Sequence, residues 1–294
     1  MEGLMITGKT KILGIIGDPV EHSKSPLLHN FISVFKNIDM VYVPFRVEKN
    51  NLSAAINGLR ALNVIGFNVT VPHKNNVIQY LDKVSEEAEL MGAVNTVKNV
   101  DGVLYGYNTD GEGFLRDFKE ETGQSFKGKK VVIIGAGGAA RAITVKVVLE
   151  GAQNIIILNR TEDKAKALSD YINEKLRNCS CYRGMGNNEV KNEIKECEII
   201  INTTSVGMHP EIDKSPINSD GFFTERHIVY DIIYNPLKTK LLEAAEAKGC
   251  KTVNGLGMLF YQGIYAYEKW NDIVFSKDEI ELFFKRFKEI VITS

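Results

Sequence analysis

Short apolar runs alternate with segments of helical period along most of the chain. Lys11–Ile16 (KILGII), Met40–Val47 (MVYVPFRV) and Val64–Val71 (VIGFNVTV) read as strands. Pro26–Phe35 and Leu52–Leu62, lying between them, carry the spacing of amphipathic helices. A β-α-β-α-β order favours a layer with parallel strands. Residues 93–110 (AVNTVKNVDGVLYGYNTD) hold two β-rich runs around Asp101-Gly102, which predicts a hairpin.

A second alternating series starts at Lys130. KVVIIG is a continuous apolar strand, followed by a glycine-rich turn and a helix to about Glu150. NIIILNR, CEIIINTT and HIVYDIIY add three strands, with a helix over Glu162–Leu176 after the first of them. Asn235-Pro236 punctuates before a helix over Lys238–Lys248, and two helical segments fill the chain from Gly255. The helix Asp110–Glu121, closed by Gly123, is the candidate hinge between two domains. A chain of 294 residues suits two domains, each with its own core.

Composition narrows the function classes. Hydrophobic residues at 44% and charged residues at 25% are those of a globular protein, which argues against global disorder. The 36 basic and 37 acidic residues nearly cancel, so no overall bias toward nucleic acid or an anionic membrane is expected. No run is long and apolar enough to span a bilayer, and the first residues lack the pattern of a signal peptide. Cys179, Cys181, Cys197 and Cys250 form no C-x-x-C pair and no metal-ligand spacing with histidine. Reduced thiols, a cytoplasmic setting and no metal site are expected. Monomer and homodimer are both open.

Gly135-Ala136-Gly137-Gly138-Ala139-Ala140 has the form G-x-G-x-x-A, directly after a strand and opening a helix. The glycines permit a tight turn and close backbone approach, and the N–H groups of a helix start favour a pyrophosphate. Gly135, Gly137, Gly138 and Ala139 are therefore candidate cofactor contacts. The next strand ends in Asn159-Arg160-Thr161. An acid there would hold a ribose hydroxyl and repel a 2′-phosphate, whereas a guanidinium attracts one. NADP is thus preferred over NAD; the alternative is that Arg160 is a solvated cation and Thr161 a helix cap.

Polar residues gather at strand ends of the first series. Ser25-Pro26 is a good helix start, which explains Ser25 as a cap but leaves Ser23 unexplained. Two hydroxyls near a helix N-terminus could also hold a small carboxylate. Lys74 lies just past Pro72 at the start of a further helix, the wrong end of the dipole for a cation, and is either a surface lysine or a residue with a task. Asn68 and Thr70 precede it. Asn95 is polar within an apolar run and could pin the hairpin, and Asp110 follows Asn108-Thr109 as a turn residue or cap.

The chain resembles the shikimate dehydrogenase family. The resemblance is carried by GDPVEHSKSPLLHN, GFNVTVPHK, GAVNTV, GYNTDGEGF, IGAGGAARA, NRTEDKA, NTTSVGM, DIIYNPLKTKLL and NGLGMLFYQG with Trp270, in this order. It implies two α/β domains flanking a cleft, the second a Rossmann-type doubly wound parallel sheet. Residues 1–109 and 252–294 would bind substrate, and 110–251 would bind NADP. It further implies that Ser23 and Ser25 hold a substrate carboxylate, with Asn68, Thr70, Asn95, Tyr234 and Gln262 around the ring. Lys74 and Asp110 would be the catalytic pair. Thr203, Thr204, Ser205, Gly255, Gly257 and Met258 would lie toward the nicotinamide. The implied activity is NADPH-dependent reduction of 3-dehydroshikimate to shikimate in aromatic amino-acid biosynthesis, with quinate dehydrogenase as the runner-up.

Overall fold

The computed structural model describes residues 6–186, 190–217 and 221–293. The chain divides into two compact units, Met1–Thr109 with Gln262–Ser294, and Asp110–Tyr261. The second division falls between 261 and 262, against 251 and 252 expected from the sequence.

The first unit contains β1 (Lys11–Gly17), α1 (Ser25–Phe35), β2 (Met40–Arg46), α2 (Leu52–Ala61), β3 (Gly66–Val69), β4 (Lys83–Val84), α3 (Glu86–Met91), β5 (Thr96–Val100) and β6 (Val103–Tyr107). Its sheet runs β2-β1-β3-β5-β6-β4. β1 is parallel to β2 and β3, whereas the hairpin β5–β6 enters antiparallel. Asp101 and Gly102 both take positive φ, 50° and 84°, the conformation that a two-residue hairpin turn requires. All four residues of β3 are buried, as expected of a central strand covered on both faces.

Two expectations are corrected here. The strand expected over Val64–Val71 is shortened to Gly66–Val69, because Val71 is 65% exposed and Pro72 has no N–H for a ladder. The helix expected at Lys74 is a short 3₁₀ turn over Asn76–Tyr80 instead.

The second unit begins with α4 (Asp110–Thr122) and continues β7 (Lys130–Ile134), α5 (Gly138–Leu149), β8 (Asn154–Asn159), α6 (Glu162–Lys175), β9 (Ser180–Gly184), α7 (Val190–Glu196), β10 (Ile199–Asn202), β11 (Ile228–Asp231), α8 (Lys240–Glu246) and β12 (Lys251–Val253). The sheet order is β12-β11-β10-β7-β8-β9, and every pair is parallel. This is a doubly wound Rossmann-type sheet. The apolar runs of β7, β8 and β10 are buried against a core that includes Ile194, Val229, Leu241 and Ala245.

α9 (Leu256–Asn271) and α10 (Lys277–Thr293) close the chain. In the first unit, Trp270 donates its indole N–H to the Val97 carbonyl at 2.9 Å and fills the place that a Cβ on Gly66 would need. A side chain at 66 would displace the indole, so the glycine and the tryptophan specify one another.

Candidate active site

In the first unit, Asn68, Asn95, Thr96, Thr109 and Gln262 form one buried hydrogen-bonded network. Asn68 Nδ2 donates to the Asn95 carbonyl at 3.0 Å and to Thr96 Oγ1 at 3.1 Å. Asn95 Oδ1 accepts from the Thr109 backbone N–H at 2.8 Å, and Asn95 Nδ2 donates to Thr109 Oγ1 at 3.0 Å and Gln262 Oε1 at 3.4 Å. Asn95 thus pins the chain after β6. Five polar residues within 8% exposure need such mutual bonding, since each would otherwise be costly to bury.

Tyr42 joins this network from β2. Its phenol donates to Asn68 Oδ1 at 2.7 Å. Burial holds that phenol well above its ordinary pKa, and a hydrogen bond with Ser25 works in the opposite direction. The His29 ring stacks on Tyr42 with centroids 4.4 Å apart. Burial pushes the His29 imidazole down to about 3, the neighbouring Asn68 amide offsetting only part of this.

Ser25 is the first residue of α1, and the cap position falls to Lys24, whose side chain makes no capping bond. The Ser23 hydroxyl accepts from the Ser25 backbone N–H at 3.3 Å. Ser23 therefore serves the helix start, and the capping reading of Ser25 is corrected. The Ser25 side chain, 7% exposed, belongs with Tyr42.

Lys74 is half-buried in a segment held on both sides. The Thr70 N–H donates to the Ile16 carbonyl and the His73 N–H to Thr70, each at 2.9 Å. The Val94 N–H donates to the Lys74 carbonyl at 2.8 Å. The His73 ring is buried and meets the Val47 carbonyl through Nε2 at 2.6 Å, so it points into the core. These bonds fix the backbone of Lys74 just beyond the C-terminal end of β3, where ligands of open α/β sheets gather.

In the second unit, Gly135 opens the turn after β7 with φ 115°, and a Cβ there would run into Thr203 Oγ1 and come within 3.1 Å of Thr204 Cγ2. Only glycine fits both the angle and the space. At Gly137 and Gly138 a Cβ would meet nothing within 4 Å. Both are exposed, and the first turn of α5 has no side-chain cap from Gly137. An open glycine surface over an uncapped helix start suits a phosphate group. Ala139 is half-buried beside it, and Ala140 is fully buried, filling the helix-on-strand contact usually left to a third glycine.

The Asn159 amide donates to the Thr161 carbonyl at 2.8 Å, closing the turn after β8. Thr161 occupies the cap position of α6 without a side-chain capping bond. Arg160 is exposed, and its guanidinium forms no ion pair with the described residues. The arrangement fits a 2′-phosphate.

After β10, Thr203 Oγ1 donates to the Ile134 carbonyl at 2.7 Å. Asn202 Oδ1 accepts from the Thr204 N–H at 3.0 Å and Thr204 Oγ1 at 2.8 Å; Ser205 is exposed beyond them. Asn202 is held by Asp231, whose Oδ1 accepts from Asn202 Nδ2 at 2.9 Å. Thr239 Oγ1 donates to Asp231 Oδ2 at 2.7 Å. Burial pushes the Asp231 carboxyl up to about 6, with Thr239, Ile233 and Asn202 acting against it.

Tyr234 and Met258 are half-buried, and burial raises the Tyr234 phenol above its ordinary value. Packing accounts for two further glycines: a Cβ on Gly255 would strike the Ile232 backbone, and one on Gly257 the Asp117 carboxylate. Asp117 is buried and accepts from Tyr230 Oη at 2.6 Å. Asp110 is the half-buried first residue of α4, a position where a carboxylate complements the helix dipole. Among the described residues no group of three His, Cys, Asp or Glu could hold a metal ion, and the four cysteines are free.

Tyr42, His29, Thr96, Asn202, Asp231 and Thr239 are residues of these networks that local sequence did not single out. Tyr42 and Asn68 are 26 positions apart, and no short-range signal joins them.

A parallel doubly wound sheet with an open glycine turn, and a separate α/β unit with a buried polar network, define the class of two-unit dinucleotide-dependent oxidoreductases. A profile described as "Shikimate dehydrogenase substrate binding domain" matches residues 15–97, and one described as "Shikimate / quinate 5-dehydrogenase" matches 117–232. The shikimate dehydrogenase (NADP(+)) of Caldanaerobacter subterraneus subsp. tengcongensis is 48% identical over 275 residues, covering 94% of this chain and 96% of its own. A crystal structure of a shikimate dehydrogenase in complex with NADP+ superposes with a TM-score of 0.90 at 43% identity, covering 98% of each chain. Shikimate 5-dehydrogenase from Listeria monocytogenes, in complex with shikimate and NAD, gives 0.87 at 42%, over 94% of this chain and 96% of that one. The chain belongs to the shikimate dehydrogenase family.

Proposed function

We propose that this chain catalyses the reversible reduction of 3-dehydroshikimate by NADPH and a proton, giving shikimate and NADP+. The observation that carries the reading is the family relationship over nearly the whole chain, together with the open Gly137-Gly138 surface and the exposed Arg160. Bound NADPH supplies the hydride. As the carbon–oxygen double bond is reduced, negative charge grows on the ring oxygen and needs a proton. Lys74, as an ammonium ion, hydrogen-bonds that oxygen and donates the proton. Asp110 bonds a neighbouring substrate hydroxyl.

Ser23 and Ser25 take the substrate carboxylate, and Asn68, Thr70, Asn95, Tyr234 and Gln262 take or frame the ring. Gly135, Gly137, Gly138 and Ala139 take the pyrophosphate, and Asn159, Arg160 and Thr161 the 2′-phosphate. Thr204, Ser205, Gly255 and Met258 line the nicotinamide side. Residues 1–109 with the C-terminal helices are the substrate domain in this reading. The four free thiols accord with a cytoplasmic setting. A second reading, quinate or dual quinate/shikimate dehydrogenase, is supported by the family description that names both substrates.

Mixing the purified chain with 3-dehydroshikimate and NADPH tests the proposal. NADPH should be consumed with an equal amount of shikimate formed; no consumption would contradict it.

A further inference from the structure

We infer that Tyr42 is a positioning residue that locks the Asn68 side chain as a hydrogen-bond acceptor toward the substrate, selecting a ligand that presents a hydroxyl donor there. The inference deepens the proposed function and rests on Asn68 facing the substrate.

The Asn68 amide has two N–H donors and one oxygen with two lone pairs. Both donors are committed, one to the Asn95 carbonyl and one to Thr96 Oγ1. One lone pair is committed to the Tyr42 phenol at 2.7 Å. The ring nitrogens of the neighbouring His29 make no hydrogen bond, so a single acceptor position is left. Turning the amide over would set its oxygen against the Asn95 carbonyl, which can only accept, so this orientation is fixed. A ligand hydroxyl can donate to the remaining lone pair; a carbonyl or ether oxygen at that point would face another acceptor. Asn68 therefore discriminates by what its neighbours leave unused.

Tyr42 is itself immobilised. It is 1% exposed, its ring stacks on His29, and its backbone is clamped by Asn30, which donates to the Tyr42 carbonyl at 3.0 Å and accepts from its N–H at 2.7 Å. A rigid phenol of this kind holds the Asn68 oxygen in place at no entropic cost when substrate arrives.

Tyr42→Phe removes the phenolic oxygen and leaves the stacked ring. With shikimate and NADP+, its KM for shikimate should rise about fivefold, the value of one hydrogen bond. Its kcat and its KM for NADP+ should stay near wild type. An unchanged KM for shikimate, whether or not the melting temperature falls, overturns the inference and leaves Tyr42 a core residue. Should Y42F fail to fold, wild-type protein carries the test through the Asn68 side-chain amide in ¹⁵N NMR. Both amide protons should exchange slowly, and adding shikimate should leave that slow exchange unchanged. Fast exchange without ligand, slowed only by shikimate, would mean donation to the substrate and overturn the inference. Wild-type protein without activity on shikimate would instead overturn the proposed function, and this inference with it.

Discussion

The Lys74 backbone is fixed by the Val94 N–H, which donates to its carbonyl. Lys74→Ala should lower kcat about 10²- to 10⁴-fold, the usual range for general acid–base groups, while NADPH binding measured by fluorescence titration stays intact. Turnover near wild type would remove Lys74 from the mechanism. Ser25 makes a different prediction. Because the helix start is served by Ser23, Ser25→Ala should raise the KM for shikimate about tenfold or more, as expected for a hydrogen bond to a carboxylate. A fall in melting temperature with KM unchanged would restore the capping role. Sequence alone left that choice open at Ser25, since Ser-Pro is an ordinary helix opening. The structure speaks only against the cap, which falls to Lys24.

At the scale of elements, the loop after β10 is organised by one buried carboxylate. Asp231 ties β10 through Asn202 and the start of α8 through Thr239. Its folded-state pKa, about 6, lies above the ordinary 3.8. The folded chain therefore keeps a proton that the unfolded chain has released in that window. The stabilising contribution is fully present below about pH 4 and is lost as pH rises through about 6. Asp231→Asn cannot ionise, so its stability relative to wild type should rise by about 2 kcal/mol between about pH 4.5 and about pH 7. Denaturant unfolding at the two pH values checks this; a difference that does not change with pH would contradict it. The loop after β8 makes its own prediction. Arg160→Ala should raise the KM for NADP+ about tenfold or more and leave that for NAD+ nearly unchanged, because only NADP+ carries the 2′-phosphate. Equal effects on both would mean that Arg160 is a solvated cation.

Across the whole molecule, legibility followed the reach of the signal. Continuous apolar runs announced β7, β8, β10 and β11, since a parallel strand buried on both faces leaves no room for polar residues. β9, with every residue but Gly184 partly exposed, and the three-residue β12 have no such run and are set by their neighbours in the sheet. The Asp101-Gly102 hairpin and the turn at Gly135 were readable because both demand backbone angles that few residues adopt. The polar networks were readable only in part. Asn68, Asn95 and Thr109 stood out as polar residues at strand ends and Gln262 through resemblance, but Thr96 and Tyr42, which bind into the same network, look like ordinary strand residues until the sheet aligns them. No helix among the described residues is long and apolar enough to cross a membrane.

The central claim concerns the reaction itself, and an initial-rate assay that crosses shikimate and quinate with NADP+ and NAD+ tests it most directly. Shikimate with NADP+ should give the highest kcat/KM of the four pairs, with quinate and NAD+ each costing activity. Turnover of quinate in preference to shikimate, or of neither, would contradict it.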